Sequence, residues 1–365
     1  MSVCELCGRE STLISAGLGL CAACVQRGGR KAREYATEAH HRERRRFGLP
    51  GSVPRSQPGA RCRQCANGCR IAPGQVGYCG VRANKSGRLI GGDAAAAAVS
   101  WYHDALPTNC VADWVCPAST SAGYPRFTDT RDPEHGYTNL AVFYEACSFD
   151  CLFCQNWHFR EHSISGPRRT AAELAAAVDQ RTRCICYFGG DPSCQMAHAL
   201  KASRLALDQA GNRILRICWE TNGSMSRSAL RQAVQLSLET GGCIKFDLKA
   251  WDRSLHRALC GVSNRRTLAN FDWVSQWIQH RPDPPLLIAS TLLIPGYVDA
   301  EQVGRLARFI AQRNRDIPCT LLAFHPRFAM SDLPTTSREH AERCLAAARE
   351  AGLTRVHLGN LHLLS

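Results

Sequence analysis

The 365-residue chain has no run of about 18 uncharged apolar residues, which excludes a membrane-spanning helix of ordinary length. Its opening, MSVCELCGRE, lacks an apolar stretch and carries charge early, so it does not read as a secretory signal and the cytoplasm is the expected location. Acidic residues are in deficit: 31 Asp and Glu stand against 45 Lys and Arg, a formal charge of +14. Part of the excess lies in Arg42, Arg44, Arg45 and Arg46. Only Tyr35 and Phe47 stand near this run, and no recognisable RNA-binding motif accompanies it. It therefore reads as a solvated helix or linker, with an acidic partner such as nucleic acid as the alternative.

Cysteine, by contrast, is abundant, with 21 in the chain. In a cytosolic protein of this size such a count points to metal rather than to disulfides. The spacing agrees, because many of the cysteines fall into three tight groups. Scattered ones such as Cys218, Cys243 and Cys319 lie in apolar stretches and read as small core residues.

Along the chain, residues 1–30 hold two CxxC pairs, and 31–60 join a charged, helix-compatible stretch to a Gly-, Pro- and Ser-rich linker at 48–60. Residues 61–136 carry the second cysteine group and a connection that is hard to read, in which AAAAAVS could open a helix. From 137 to 365, short apolar runs alternate with helical stretches. Strands are expected at 138–145, 184–189, 214–220, 243–248, 286–294, 319–324 and 355–359. Helices are expected near 170–181, 195–210, 226–239, 264–280, 299–313 and 337–351. This alternation predicts an α/β fold, a full or partial β/α barrel preceded by cysteine-rich metal-binding modules, with a doubly wound open sheet as runner-up. In either architecture, chemistry belongs at the C-terminal ends of the strands.

The central group, Cys147, Cys151 and Cys154, follows the first expected barrel strand with the spacing CxxxCxxC, and Phe153 precedes the last thiol. Three thiolates are a soft ligand set suited to an iron–sulfur cluster. A four-iron cubane would keep one iron open to a substrate or cofactor. A structural zinc site needs a fourth ligand, which His158 or His162 could supply. Ahead of it, Cys4, Cys7, Cys21 and Cys24 have the spacing of a closed four-thiolate zinc site, with rubredoxin-type iron as the alternative. A segment so small would draw its folding energy from the metal, and the 48–60 linker should uncouple it from the barrel. Cys62, Cys65, Cys69 and Cys79 also suit a closed four-thiolate site, either zinc or an iron–sulfur cluster.

The central motif and the strand ends that follow it resemble the radical S-adenosylmethionine (SAM) superfamily. More narrowly, residues 61 to 365 resemble pyruvate formate-lyase activating enzyme-like and AmmeMemoRadiSam-type members. The resemblance implies a [4Fe-4S] cluster on Cys147, Cys151 and Cys154 that binds SAM at the open iron. Reductive cleavage of SAM would give methionine and a 5′-deoxyadenosyl radical that abstracts hydrogen from a substrate. It implies SAM contacts from Phe153 and from Gly189-Gly190-Asp191, with Asp191 where the family usually has Glu. Further contacts follow for Glu220-Thr221-Asn222, for Lys249 and for His325, and a monovalent cation site near Asp247 and the 220–222 segment. A reductant such as flavodoxin or ferredoxin and a protein substrate are the implied partners. An RNA-modifying radical SAM enzyme and a non-catalytic Zn/Fe–S scaffold are the competing readings.

Overall fold

A computed structural model describes residues 1–365. The apolar runs become strands, which together form one sheet: β1 (Ala96–Ala105), β2 (Thr138–Tyr144), β3 (Arg168–Thr170), β4 (Thr182–Phe188), β5 (Arg216–Thr221), β6 (Ile244–Asp247), β7 (Leu287–Leu293), β8 (Cys319–Ala323) and β9 (Val356–Gly359). Spatial order is β3-β1-β2-β4-β5-β6-β7-β8-β9. From β2 to β9 every neighbouring pair is parallel. A parallel sheet needs a crossover after each strand, and the helices Ala171–Ala176, Met196–Ala210, Arg227–Thr240, Arg265–Ser275, Ala300–Ala311 and Arg338–Glu350 supply them.

The parallel strands lie side by side in chain order with no reversal. A doubly wound sheet reverses its order at a switch point, so the winding is of the barrel kind. One cavity is lined both by Cys147, just beyond β2, and by Leu358 and Gly359 in β9. The sheet therefore curls until its first and last parallel strands face a common space. Since β9 pairs with β8 alone, the barrel is partial.

Two expectations fail locally. The alanine run does not open a helix. Ala96–Ala105 is a strand, antiparallel to both β2 and β3. Alanine favours helix intrinsically, but tertiary pairing overrides so weak a preference. The Gln195 side chain completes the pairing: its amide accepts from Ala98 N at 3.0 Å and donates to Ala98 O at 3.1 Å. The helix expected over 170–181 spans only Ala171–Ala176, behind a capping box of Thr170 and Glu173. It stops where Asp179 Oδ1 accepts from the backbone N–H groups of Arg181 and Thr182 and folds the chain into a turn.

The N-terminal module is not uncoupled from the barrel. Tyr297, just past β7, is fully buried; its hydroxyl accepts from Ser15 N at 3.0 Å and donates to Leu20 O at 2.9 Å. Asp332 takes the Ser15 hydroxyl at 2.8 Å and Ala16 N at 2.7 Å. The basic run is exposed at Arg42, Arg45 and Arg46, as a solvated helix should be, and turns inward only at Arg44. Arg44 is buried, Arg42 donates to Gly17 O at 2.7 Å, Arg45 pairs with Glu38, and Arg46 with Glu43 at 2.6 Å. The helix Arg30–Arg45 that carries the run lies against the helix Arg253–Cys260.

Replacing Tyr297 with Phe keeps the ring and strands the Ser15 N–H. A buried donor left without a partner costs about 1–3 kcal/mol. Urea unfolding of Tyr297→Phe should show that loss, and hydrogen exchange should accelerate over residues 13–21. Unchanged exchange there would mean that other contacts hold the module in place.

Candidate active site

The cluster-type motif lies in the loop leaving β2. Its apolar members Phe149, Leu152 and Phe153 are buried, which turns Cys147, Cys151 and Cys154 toward the barrel mouth. All three line a single cavity of about 760 Å³. Backbone bonds fix the loop: Asp150 N donates to Cys260 O and Leu152 N to Leu259 O, both at 2.9 Å.

The middle of the motif carries a charge that the sequence reading passed over. The Asp150 side chain is completely buried, at 0% exposure, and meets three basic groups. Arg160 reaches its Oδ1 at 3.0 Å, Arg44 reaches the same oxygen at 3.3 Å, and His40 Nδ1 lies 2.9 Å from Oδ2. Burial opposes the Asp150 charge, but the His40 hydrogen bond and the two guanidiniums outweigh it and hold the carboxyl below its ordinary range. Arg44 also donates to Pro50 O at 2.6 Å and stacks over the Tyr78 ring at 3.6 Å.

The loop after β4 is shaped by two glycines with φ of +65° and +51°, Gly189 and Gly190. A Cβ on Gly190 would lie 1.9 Å from Tyr144 O, and one on Gly189 would lie 1.8 Å from the Phe143 ring. The glycines thus let this loop close onto β2. Asp191 then ties β4 to β5: it accepts from Ser193 N at 2.7 Å, Thr221 Oγ1 at 3.0 Å and Asn222 N at 2.6 Å. Burial raises its pKa above the ordinary carboxylate value, against the pull of these donors. Asn222 in turn donates to Ser148 Oγ at 3.0 Å and points at Cys147 Sγ, 3.6 Å away.

At the end of β6, Lys249 donates to the Asp247 carboxylate and sits 5.3 Å from the centre of the Phe153 ring. Burial opposes its charge, yet Asp247 prevails and raises its pKa above the ordinary lysine value. Glu220 pairs with Lys245 at 3.3 Å. The three cysteines, Phe153, Gly189, Gly190, Asp191, Glu220, Thr221, Asn222, Asp247 and Lys249 all line the cavity. His325 is not part of that lining; its carbonyl accepts from Gln155 Nε2 at 2.8 Å, and its Nδ1 faces Pro326 O. Asn156, Arg160, His357 and Asn360 line the cavity without having been singled out in the sequence. Only Arg160 was within reach, as a charge six residues past the last motif cysteine.

The other cysteine groups differ in packing. The sulfurs of Cys4, Cys7, Cys21 and Cys24 all lie within 4.8 Å of one another. A tetrahedral ion with bonds of about 2.3 Å needs thiolates roughly 3.8 Å apart, and Cys7 and Cys21 stand at 3.9 Å. Cys62, Cys65, Cys69 and Cys79 instead surround a small enclosed void together with Cys194, from the loop after Asp191. This segment is docked on the active-site loops: Ala66 N bonds Ser224 O at 2.8 Å, and Asn67 Nδ2 bonds Ser148 O at 2.7 Å.

A partial parallel barrel with three thiols opening on a cavity at its strand ends is a cofactor-dependent enzyme architecture. Comparison with known proteins makes this specific. The family model described as Radical SAM superfamily matches residues 141–309. An uncharacterized protein of Methanocaldococcus jannaschii is 22% identical over 82% of this chain and 81% of its own length. The isethionate sulfite-lyase activating enzyme of Oleidesulfovibrio alaskensis is 30% identical over 44% of this chain and 50% of its own. For the pyruvate formate-lyase 1-activating enzyme of Escherichia coli the figures are 23%, 50% and 73%. Residues 141–309 thus match the radical SAM superfamily, whose members use a [4Fe-4S] cluster and SAM, and two activating enzymes of that type are among the relatives.

Removing one partner from a buried ion pair typically costs about 3–5 kcal/mol, so Asp150→Asn and Arg160→Met should each lower unfolding stability by that order. The pH profile carries the sign. Asp150 is held below its ordinary value of 3.8, so its contribution is full above that pH and drains away as pH falls through the folded pKa. Chemical denaturation at pH 3 and pH 7 should give a smaller difference for Asp150→Asn than for the unaltered protein. Equal differences would exclude the carboxylate as a source of acid lability.

Proposed function

We propose that Cys147, Cys151 and Cys154 hold the [4Fe-4S] cluster, and that the cavity above them binds SAM. The observation carrying this reading is the convergence of three thiols, and no fourth from their own loop, on a cavity ringed by the ends of the parallel strands. When bound, the cluster supplies the electron that cleaves SAM into methionine and a 5′-deoxyadenosyl radical. The chain's part is to bind, orient and exclude water. Asp191 accepts a hydrogen bond from the SAM ammonium with its remaining lone pair, while its other bonds hold Thr221 and Asn222 in place. Lys249, steadied by Asp247 and stacked on Phe153, offers its ammonium to the SAM carboxylate. Glu220, Thr221 and Asn222 line the ribose side, and Asp247 with Glu220 would serve a monovalent cation.

The substrate is a protein, from which the radical removes hydrogen; two relatives carry names of activating enzymes. An external one-electron donor such as flavodoxin or ferredoxin reduces the cluster. Zinc fits Cys4, Cys7, Cys21 and Cys24, whose sulfurs all lie within 4.8 Å of one another. The second group, Cys62, Cys65, Cys69 and Cys79, suits either zinc or an iron–sulfur cluster.

Anaerobically reconstituted protein should cleave SAM to 5′-deoxyadenosine on reduction, and C147A/C151A/C154A should abolish this. Cleavage surviving in the triple variant would end the proposal. Asp191→Asn should weaken SAM binding by roughly tenfold or more, since losing a charged partner in a desolvated site costs about 2–5 kcal/mol and each decade is about 1.4 kcal/mol. Lys249→Met should act alike, both with an ordinary cluster absorption spectrum. A SAM titration read by the EPR signal of the reduced cluster decides it; unaltered affinity in both variants would make these strand ends structural.

A further inference from the structure

Below the active-site cavity, the barrel interior holds a second cavity of about 360 Å³. The two meet at Cys110, Phe188 and Glu220, which line both. Six cysteines stand in its wall: Cys110, Cys116, Cys184, Cys186, Cys218 and Cys243. Three of them form a row across neighbouring strands. Cys186 in β4 is the register partner of Cys218 in β5. One residue on, Trp219 is the partner of Ile244, which brings Cys218 level with Cys243. The sulfurs of Cys218 and Cys243 are 4.0 Å apart. Cys110 joins from the loop between β1 and β2.

Lys245 stands two residues beyond Cys243, on the same face of β6. Its side chain is 2% exposed, and Nζ lies 2.9 Å from Cys110 Sγ and 3.1 Å from Cys186 Sγ. Thiols that only fill a core pack against apolar groups and enclose no such space. These surround an open volume and a buried ammonium. The carboxylate of Glu220, 3.3 Å away, is its ion-pair partner. A buried cation calls for anionic partners, and neutral thiols are weak ones.

We propose that Cys110, Cys186, Cys218 and Cys243 bind an iron–sulfur cluster inside the barrel, separate from the cluster on Cys147, Cys151 and Cys154. A soft all-thiolate set selects iron–sulfur clusters, zinc or copper(I). A lone tetrahedral ion draws its thiolates to about 3.8 Å. Here Cys218 and Cys243 approach that spacing at 4.0 Å, but all four thiols line a cavity of about 360 Å³, far larger than one ion fills. A cluster held by thiolates carries net negative charge, and Lys245 is placed as its counter-ion. Glu220 sits between this centre and the cavity where SAM cleavage is proposed, so substrate bound there faces both.

The proposal stands apart from the assignment of the first cluster and is tested without it. C147A/C151A/C154A protein, reconstituted anaerobically, is compared with the same protein carrying C186A/C218A/C243A as well. Iron and acid-labile sulfide should fall by about two to four atoms each per chain in the second variant. Equal iron and sulfide in both would overturn the site. Because emptying a row of core thiols can loosen the barrel, the unaltered protein provides the second measurement. Anomalous diffraction at the iron edge should show a peak between β4, β5 and β6. No peak there, or one at the zinc edge instead, overturns the proposal.

Discussion

One buried carboxylate holds the active-site loop. Asp150 lies among the motif cysteines in sequence, and its charge is met by three groups from two places: His40 and Arg44 on an N-terminal helix and Arg160 just past the motif. Each of these groups, taken from water alone, would be costly to bury. Together they satisfy one another, and the loop backbone cannot shift without breaking several charged bonds at once. Arg44 extends the hold by stacking on Tyr78, next to the last thiol of the second cysteine group. The N-terminal third of the chain is thus part of the active-site support.

Around the cavity, positioning and contact are divided between neighbouring atoms. Gly189 and Gly190 bring the β4 loop down onto β2, Asp191 binds that loop to β5, and Asn222 carries the connection back to Ser148 beside Cys147. The strand ends form a closed set in which each carboxylate or amide orients the next. Such pre-set geometry lowers the reorganisation that binding and reaction would otherwise require.

The parallel strands were legible because each is a short apolar run bounded by turn residues, a pattern set by local burial. The cavity-lining residues at the ends of β4, β5 and β6 were legible because strand ends fall where those runs stop. Asp150 and Arg160 were not, since a charge inside a spacing motif looks like filler until its partners, more than a hundred residues away in the case of His40, are placed beside it. Arg44 read as solvated for the same reason. The β1 alanines misled because their composition favours helix while their pairing is non-local. Cys186, Cys218 and Cys243 are far apart in sequence, and only strand register sets them in a row.

The docking of the first cysteine module also sets an order in time. Ser15 and its partner Tyr297 are 282 residues apart. At about 5–20 residues per second, the ribosome needs roughly 14 to 56 s to deliver the second after the first. Through that interval the module has no barrel to lean on, and Arg44 has no Asp150 until the central loop has been made. The four closely set thiols of the module need no later part of the chain to come together. Metal capture by the nascent chain would keep that end folded until the last strands arrive to receive it.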